Sequence, residues 1–134
     1  MSSAAVDVIT AKVATFSDDV DSTTIVVNGT GNAKFVGDVT ATDINLIGGG
    51  VVTLNNIAAK TVTANITEAT AGTTALVVAD TADLAHAVVT VSGDVTVDTI
   101  TVGATAKAGL VKFTGATAGA GAVVGGDAAG GEED

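Results

Sequence analysis

Few residues of this chain have the chemistry of an active site. His86 is its one histidine, with Asp80 and Asp83 close by. A histidine–aspartate pair needs a nucleophile held against the imidazole. Cysteine is absent, and serine occurs only at positions 2, 3, 17, 22 and 92, none in a nucleophile-elbow motif. Spacing around His86 matches no metal-ligand pattern either, so a surface or half-buried histidine is expected. Asp18, Asp19 and Asp21 form the densest internal acidic cluster. Clustered aspartates can offer oxygen ligands to calcium, but there is no D-x-D-x-D-G loop with a closing glutamate. A solvated turn is the expectation.

The glycine-rich stretches "GTGNAKFVG" (Gly29–Gly37), "GGGVV" (Gly48–Val52) and "GATAKAG" (Gly103–Gly109) do not spell a phosphate-binding loop. None lies between a clear strand and a clear helix. Glu68 is the only glutamate before the C-terminal tail, which gives an acid–base carboxylate pair little support. The reading is a non-enzymatic chain with no catalytic, cofactor-binding or metal-ligating residues.

The elements around these residues point to strands. Alanine (25), valine (22), threonine (22) and glycine (17) make up 86 of the 134 residues. β-Branched side chains suit a pleated surface and lose rotamer freedom in helices. Proline, cysteine, tryptophan and tyrosine are missing. No disulfide can staple the fold, so stability must come from regular stacking or subunit association. Fifteen acids against five lysines give a net charge of −10, which disfavours nucleic acid and anionic membrane surfaces as partners. The opening "MSSAAVDVITAKVATF" lacks a basic segment followed by an apolar run, so no signal peptide is read. No stretch approaches the length of a membrane span.

Short apolar–threonine alternations predict strands at Thr24–Asn28, Ala33–Val36, Val39–Ala41, Ile44–Ile47, Val51–Leu54, Thr61–Ile66, Ala75–Ala79, Val88–Val91, Val95–Val97, Ile100–Val102 and Leu110–Thr114. "TADLAHAVV" (Thr81–Val89) is the best helical candidate, of one or two turns. The division expected is an N-terminal arm over 1–22, a β-rich domain over 23–114 and a flexible, acidic, glycine/alanine-rich tail over 115–134.

One phrase occurs twice. "GDVTATDINLIGGG" covers 37–50, and "GDVTVDTITVGATAKAG" covers 93–109. The apolar residues Val39, Ala41, Ile44 and Leu46 follow the same offsets as Val95, Val97, Ile100 and Val102. Alternation slips once in each copy, at Thr42-Asp43 and at Asp98-Thr99. Side chains of a strand have period two, so a slip implies a bend or bulge that returns both halves to one interior. Val6, Val8, Ala11 and Val13 fit the same offsets, as do Val52, Leu54, Ile57 and Ala59. Repetition of this kind predicts an all-β short-strand repeat architecture, a β-solenoid or an intertwined β-helical oligomer. A β-sandwich or jelly roll is the alternative.

At "VATFSDDV" (13–20), "KFVGDVTATDINL" (34–46) and "VTVSGDVTVDTITVG" (89–103) the text resembles bacteriophage virion proteins: tail fibres, spikes and other surface appendages with phrases of the form V-x-G-D-V-T-V. The resemblance covers about half the chain. It implies a capsid-decoration or appendage subunit, homo-oligomeric with a trimer favoured, located in the virion and bound to capsid or tail proteins. Bacterial autotransporter passengers share the vocabulary. They give the alternative of an adhesin or surface-layer fragment at the cell surface. Bactofilin-like cytoskeletal solenoids are a third resemblance.

Overall fold

The computed structural model describes residues 1–9, 11–55, 59–70, 74–79, 88–102, 110–116, 123–125 and 132–133. Among these residues there are strands and no helix. In chain order they are β1 (Ser2–Val8), β2 (Val13–Phe16), β3 (Val20–Asn28), β4 (Asn32–Phe35), β5 (Val39–Ile47), β6 (Val51–Asn55), β7 (Lys60–Thr70), β8 (Ala75–Ala79), β9 (Val88–Val91), β10 (Val95–Thr96), β11 (Thr99–Val102), β12 (Leu110–Phe113), β13 (Val123–Gly125) and β14 (Glu132–Glu133).

The chain winds between two sheets. One runs β1-β3-β5-β7-β9-β12-β14, with β10 also pairing β7; the other runs β2-β4-β6-β8-β11-β13. Every pairing between described strands is parallel. A sandwich or jelly roll is built from antiparallel strands, so the alternative architecture is excluded. The fold is a parallel β-solenoid whose rungs stack within one chain. Each early rung gives one strand to each sheet, then crosses back; a later one gives two, β9 and β10, to the first sheet before β11.

The core is the strip between the sheets. Stacking in register turns each inward position into a column of side chains. Val20, Val39, Val62 and Val91 form one column. Ile25, Ile44, Ile66 and Val95 form a second. From the other sheet come Ala33, Val52, Leu76 and Ile100, and beside them Phe35, Leu54, Val78 and Val102. All of these are buried. Phe16 stacks on Phe35, with ring centroids 5.1 Å apart. No single rung could bury its apolar side. Neighbours above and below complete it.

The early rungs are regular. Ser2 pairs with Asp21 and Asp21 with Thr40, a step of 19 residues; β2, β4 and β6 keep the same step. Later rungs widen: Val39 pairs with Val62 and Val62 with Val91, steps of 23 and 29.

Most expected strands are present, and several expectations change. Val39–Ala41 and Ile44–Ile47 are one strand, β5, with a register irregularity between Thr40 and Asp43. The slip at Asp98-Thr99 is instead a corner, since β10 lies in one sheet and β11 in the other. Both devices return the apolar residues to the interior: Val39, Ile44, Leu46, Val95, Val97, Ile100 and Val102 are buried, and Ala41 is half-buried against the core. The offsets at Val6–Val13 are coincidental: Ala11 is an exposed residue with φ of 57° and Val13 is exposed. In the set at 52–59, Val52 and Leu54 are buried, Ala59 is exposed, and Ile57 lies outside the described residues. Residues 1–22, read as an arm, contain β1 and β2, which pair with β3 and β4 as the first rung. Within 115–134, β13 pairs with β11 and β14 with β12. Of the helical candidate, residues 81–87 lie outside the described residues, and Val88 and Val89 belong to β9.

Candidate functional site

The side-chain hydrogen bonds to backbone of a neighbouring rung gather at the corners between strands.

The duplicated "GDVT" explains the corners. Backbone of the preceding rung passes directly against Gly37 and Gly93. A Cβ at Gly37 would sit 2.6 Å from the carbonyl carbon of Asp18, and one at Gly93 only 1.9 Å from the Ala64 carbonyl oxygen. Only glycine lets the chains approach so closely. The aspartate that follows links rungs. Asp38 N–H donates to Asp19 Oδ1 (2.9 Å), and Asp38 Oδ1 accepts from Thr61 N–H (2.8 Å). At the later corner Asp94 N–H donates to Asn65 Oδ1 (3.0 Å), and Asp94 Oδ1 accepts from Ala116 N–H (2.8 Å). Asn65 in turn donates to Asp43 Oδ1. A corner breaks the strand ladder and orphans backbone N–H groups, which these side chains satisfy.

The two copies occupy different corners. Val39 begins β5 and stacks on Val62, whereas Val95 stacks on Ile66 and, through it, on Ile44. Their likeness in sequence is therefore a likeness of local chemistry, not of position in the repeat.

Lys60 holds the place that Gly37 holds one rung earlier, two residues before a paired valine. It is 5% exposed. Its Nζ donates to the carbonyls of Phe35 (3.1 Å) and Val36. Burial lowers its pKa from 10.5 to about 8, against the nearby Asp38 charge, which raises it. This residue carries no sequence signature, since only the register reveals that a lysine replaces the corner glycine.

Asp98 and Glu68 meet at another corner. The Thr74 hydroxyl lies 3.0 Å from Glu68 Oε2 and 3.2 Å from Asp98 Oδ2, and Thr74 N–H also donates to Asp98 Oδ2 (2.9 Å). Glu68 thus neighbours a carboxylate that sequence reading did not pair with it. The arrangement ties β7, β8 and β11 together. Of the Asp18–Asp19–Asp21 cluster, Asp19 is a corner acceptor, and its carbonyl accepts from the Met1 ammonium. Among the described residues no group of three potential ligands could hold a metal. His86, Asp80, Asp83 and Gly103–Gly109 lie outside the described residues. Gly29 and Gly48 have φ of 61° and 73° and sit just after β3 and β5, as turn residues.

An open groove of about 480 Å³ runs along the irregular side of the first sheet, lined by Ser2–Ala4, Asp21–Thr23 and Thr40–Thr42. The Ser22 hydroxyl in it is buried and donates to the Thr24 carbonyl (3.0 Å). The groove is shallow and almost uncharged, and gives small molecules little to grip.

The first rung is different. Among the described strands β1 pairs only with β3, and β2 only with β4. Among the described residues, no strand pairs with their outer edges. Val6, Ala14 and Phe16 pack on the core yet are only partly buried, while Ile9 and Val13 are 59% and 69% exposed. An edge of this kind is a template for further strand pairing.

Fold and site together define the class, a two-sheet parallel β-solenoid with polar corner ladders and an uncovered first rung. No protein-family model, curated protein or solved structure matches the chain.

Proposed function

We propose that this chain is a non-enzymatic structural protein that works by self-association and by docking on a larger assembly. The setting its phrasing fits is a bacteriophage virion, as a capsid-decoration or appendage subunit. The observation that supports the reading is the first described rung, where, among the described residues, β1 and β2 each pair on one side only and Val6, Ala14 and Phe16 are partly buried. A strand edge beside partly buried apolar residues is a template for pairing with a further polypeptide segment. The corner carboxylates support the same view: Asp19, Asp38, Asp94 and Asp98 each engage backbone of a neighbouring rung.

Sedimentation velocity at micromolar concentration tests the self-association. An oligomer is the expected result, and a compact, stable monomer overturns it. Genomic neighbours test the setting: capsid and tail genes are expected, and secretion genes would move the chain to the cell surface as an adhesin.

A further inference from the structure

We infer that Asn28 is a self-modifying site, a latent deamidation centre that the parallel ladder between β3 and β5 holds in check. The inference is independent of the self-association reading. Asn28 closes β3, and Gly29 follows it. Of the six asparagines, at 28, 32, 45, 55, 56 and 65, only Asn28 precedes a glycine. That neighbour matters chemically, because glycine has no Cβ to crowd its backbone nitrogen. The Asn28 side chain is exposed, and among the described residues its amide has no hydrogen-bond partner. Asn32 and Asn65 differ, being bonded to Thr53 and to Asp43 and Asp94 respectively.

The reaction needs only water as co-reactant. The Gly29 backbone nitrogen attacks the side-chain carbonyl carbon of Asn28. A carbon–nitrogen bond forms and closes a succinimide ring. The bond from that carbon to Nδ2 breaks, and ammonia leaves with the proton that the Gly29 nitrogen carried. Water then opens the ring at either carbonyl. One opening gives aspartate. The other gives isoaspartate, whose main chain runs through the former side chain.

The fold opposes ring closure in two ways. The Gly29 N–H, which must give up its proton, donates to the Ile47 carbonyl one rung on (2.7 Å). Asn28 is itself a strand residue paired with Ile47, and extended backbone turns the following nitrogen away from its own side chain. The Asn28 carbonyl is held as well, by the Gly31 N–H (3.0 Å). The next rung shares the lock. Gly48 repeats the turn of Gly29, with φ of 73° against 61°, and a Cβ on Gly48 would lie 3.4 Å from Gly29 Cα. Ring closure therefore waits for the end of β3 to part from β5. The two products differ in consequence. Aspartate adds one charge at an exposed position and keeps the backbone. Isoaspartate lengthens the main chain at a paired residue and puts the Gly29 N–H out of register with Ile47.

Peptide mapping by mass tests the site on the full chain, incubated at mildly alkaline pH with and without guanidinium chloride. In denaturant Asn28 should deamidate faster than the other five asparagines. In the folded chain at the same pH its rate should fall at least about tenfold, because only the locally opened fraction reacts. Gly48→Ala strains the turn stacked on Gly29. It should raise the folded-chain rate severalfold and leave the rate in denaturant unchanged, since position 48 is remote from 28 in sequence. An asparagine that is merely exposed would not respond to that change. Equal rates for Asn28 in the folded and unfolded chains overturn the inference. So does another asparagine reacting first in denaturant, or a folded Gly48→Ala variant that keeps the wild-type rate. Should that variant unfold, hydrogen exchange of the wild-type Gly29 amide decides. Its protection should match the ratio of unfolded to folded deamidation rates, and a mismatch of more than about tenfold overturns the role of the ladder.

Discussion

A corner residue of this solenoid is chosen by what lies one rung away. Asp38 and Asp94 are acceptors for the next rung's N–H groups, and that requirement is why aspartate follows glycine in both copies of the phrase. Lys60 meets the same corner differently, by driving an ammonium onto two carbonyls of the preceding rung. Its folded-state pKa of about 8 is below the ordinary 10.5. Between those values the unfolded chain binds more protons than the folded one, so stability rises with pH across that window. A shift of that size corresponds to a gain of about 3 kcal/mol at most. Denaturant midpoints at either end of the window should show this rise, and Lys60→Met should abolish it. The aspartates at the corners were visible as a repeated dipeptide. Lys60 was not, because its role depends on the strand register and on nothing local.

At the scale of elements, the glycines set how closely rungs approach. Gly93→Ala puts a methyl group into the Ala64 carbonyl, and the rung must shift to admit it. The expected loss is about 3 kcal/mol or more. Asp94→Asn should cost less than about 0.5 kcal/mol, because Asn65 already serves as the equivalent acceptor one rung earlier. Chemical denaturation of the two variants against the wild type measures the contrast. The strands themselves were mostly readable from alternation, since β-branched runs cut by glycine and asparagine have few other uses. The 19-residue step was not readable. Inward columns accept Val, Ile, Leu, Ala and Phe alike, as Ala33, Val52, Leu76 and Ile100 show, so packing erases the identity that would mark a repeat. The visible 56-residue echo crosses rungs of unequal length and joins two different corners. The first rung escaped notice for a related reason. β1 and β2 are half-exposed, so their alternation is weak.

For the whole molecule, net charge opposes association and apolar edges favour it. Adding salt screens the repulsion between two acidic bodies while leaving strand pairing intact. Raising sodium chloride from about 0.05 M to about 0.5 M should therefore tighten the proposed self-association severalfold, read by sedimentation equilibrium. A contact built from opposite charges would weaken instead.

Composition and alternation alone determined that this chain forms short strands around a thin core of Val, Ile and Leu, with polar residues outside. Those properties are local. A β-branched residue prefers an extended backbone, and an apolar one prefers to leave water, whatever its neighbours. Only the tertiary structure decided that the strands run parallel, that rungs close within one chain, that a lysine sits inside a corner and that β1 and β2 form a rung of the solenoid. Each of these depends on register, and register is set by which distant segment lies alongside.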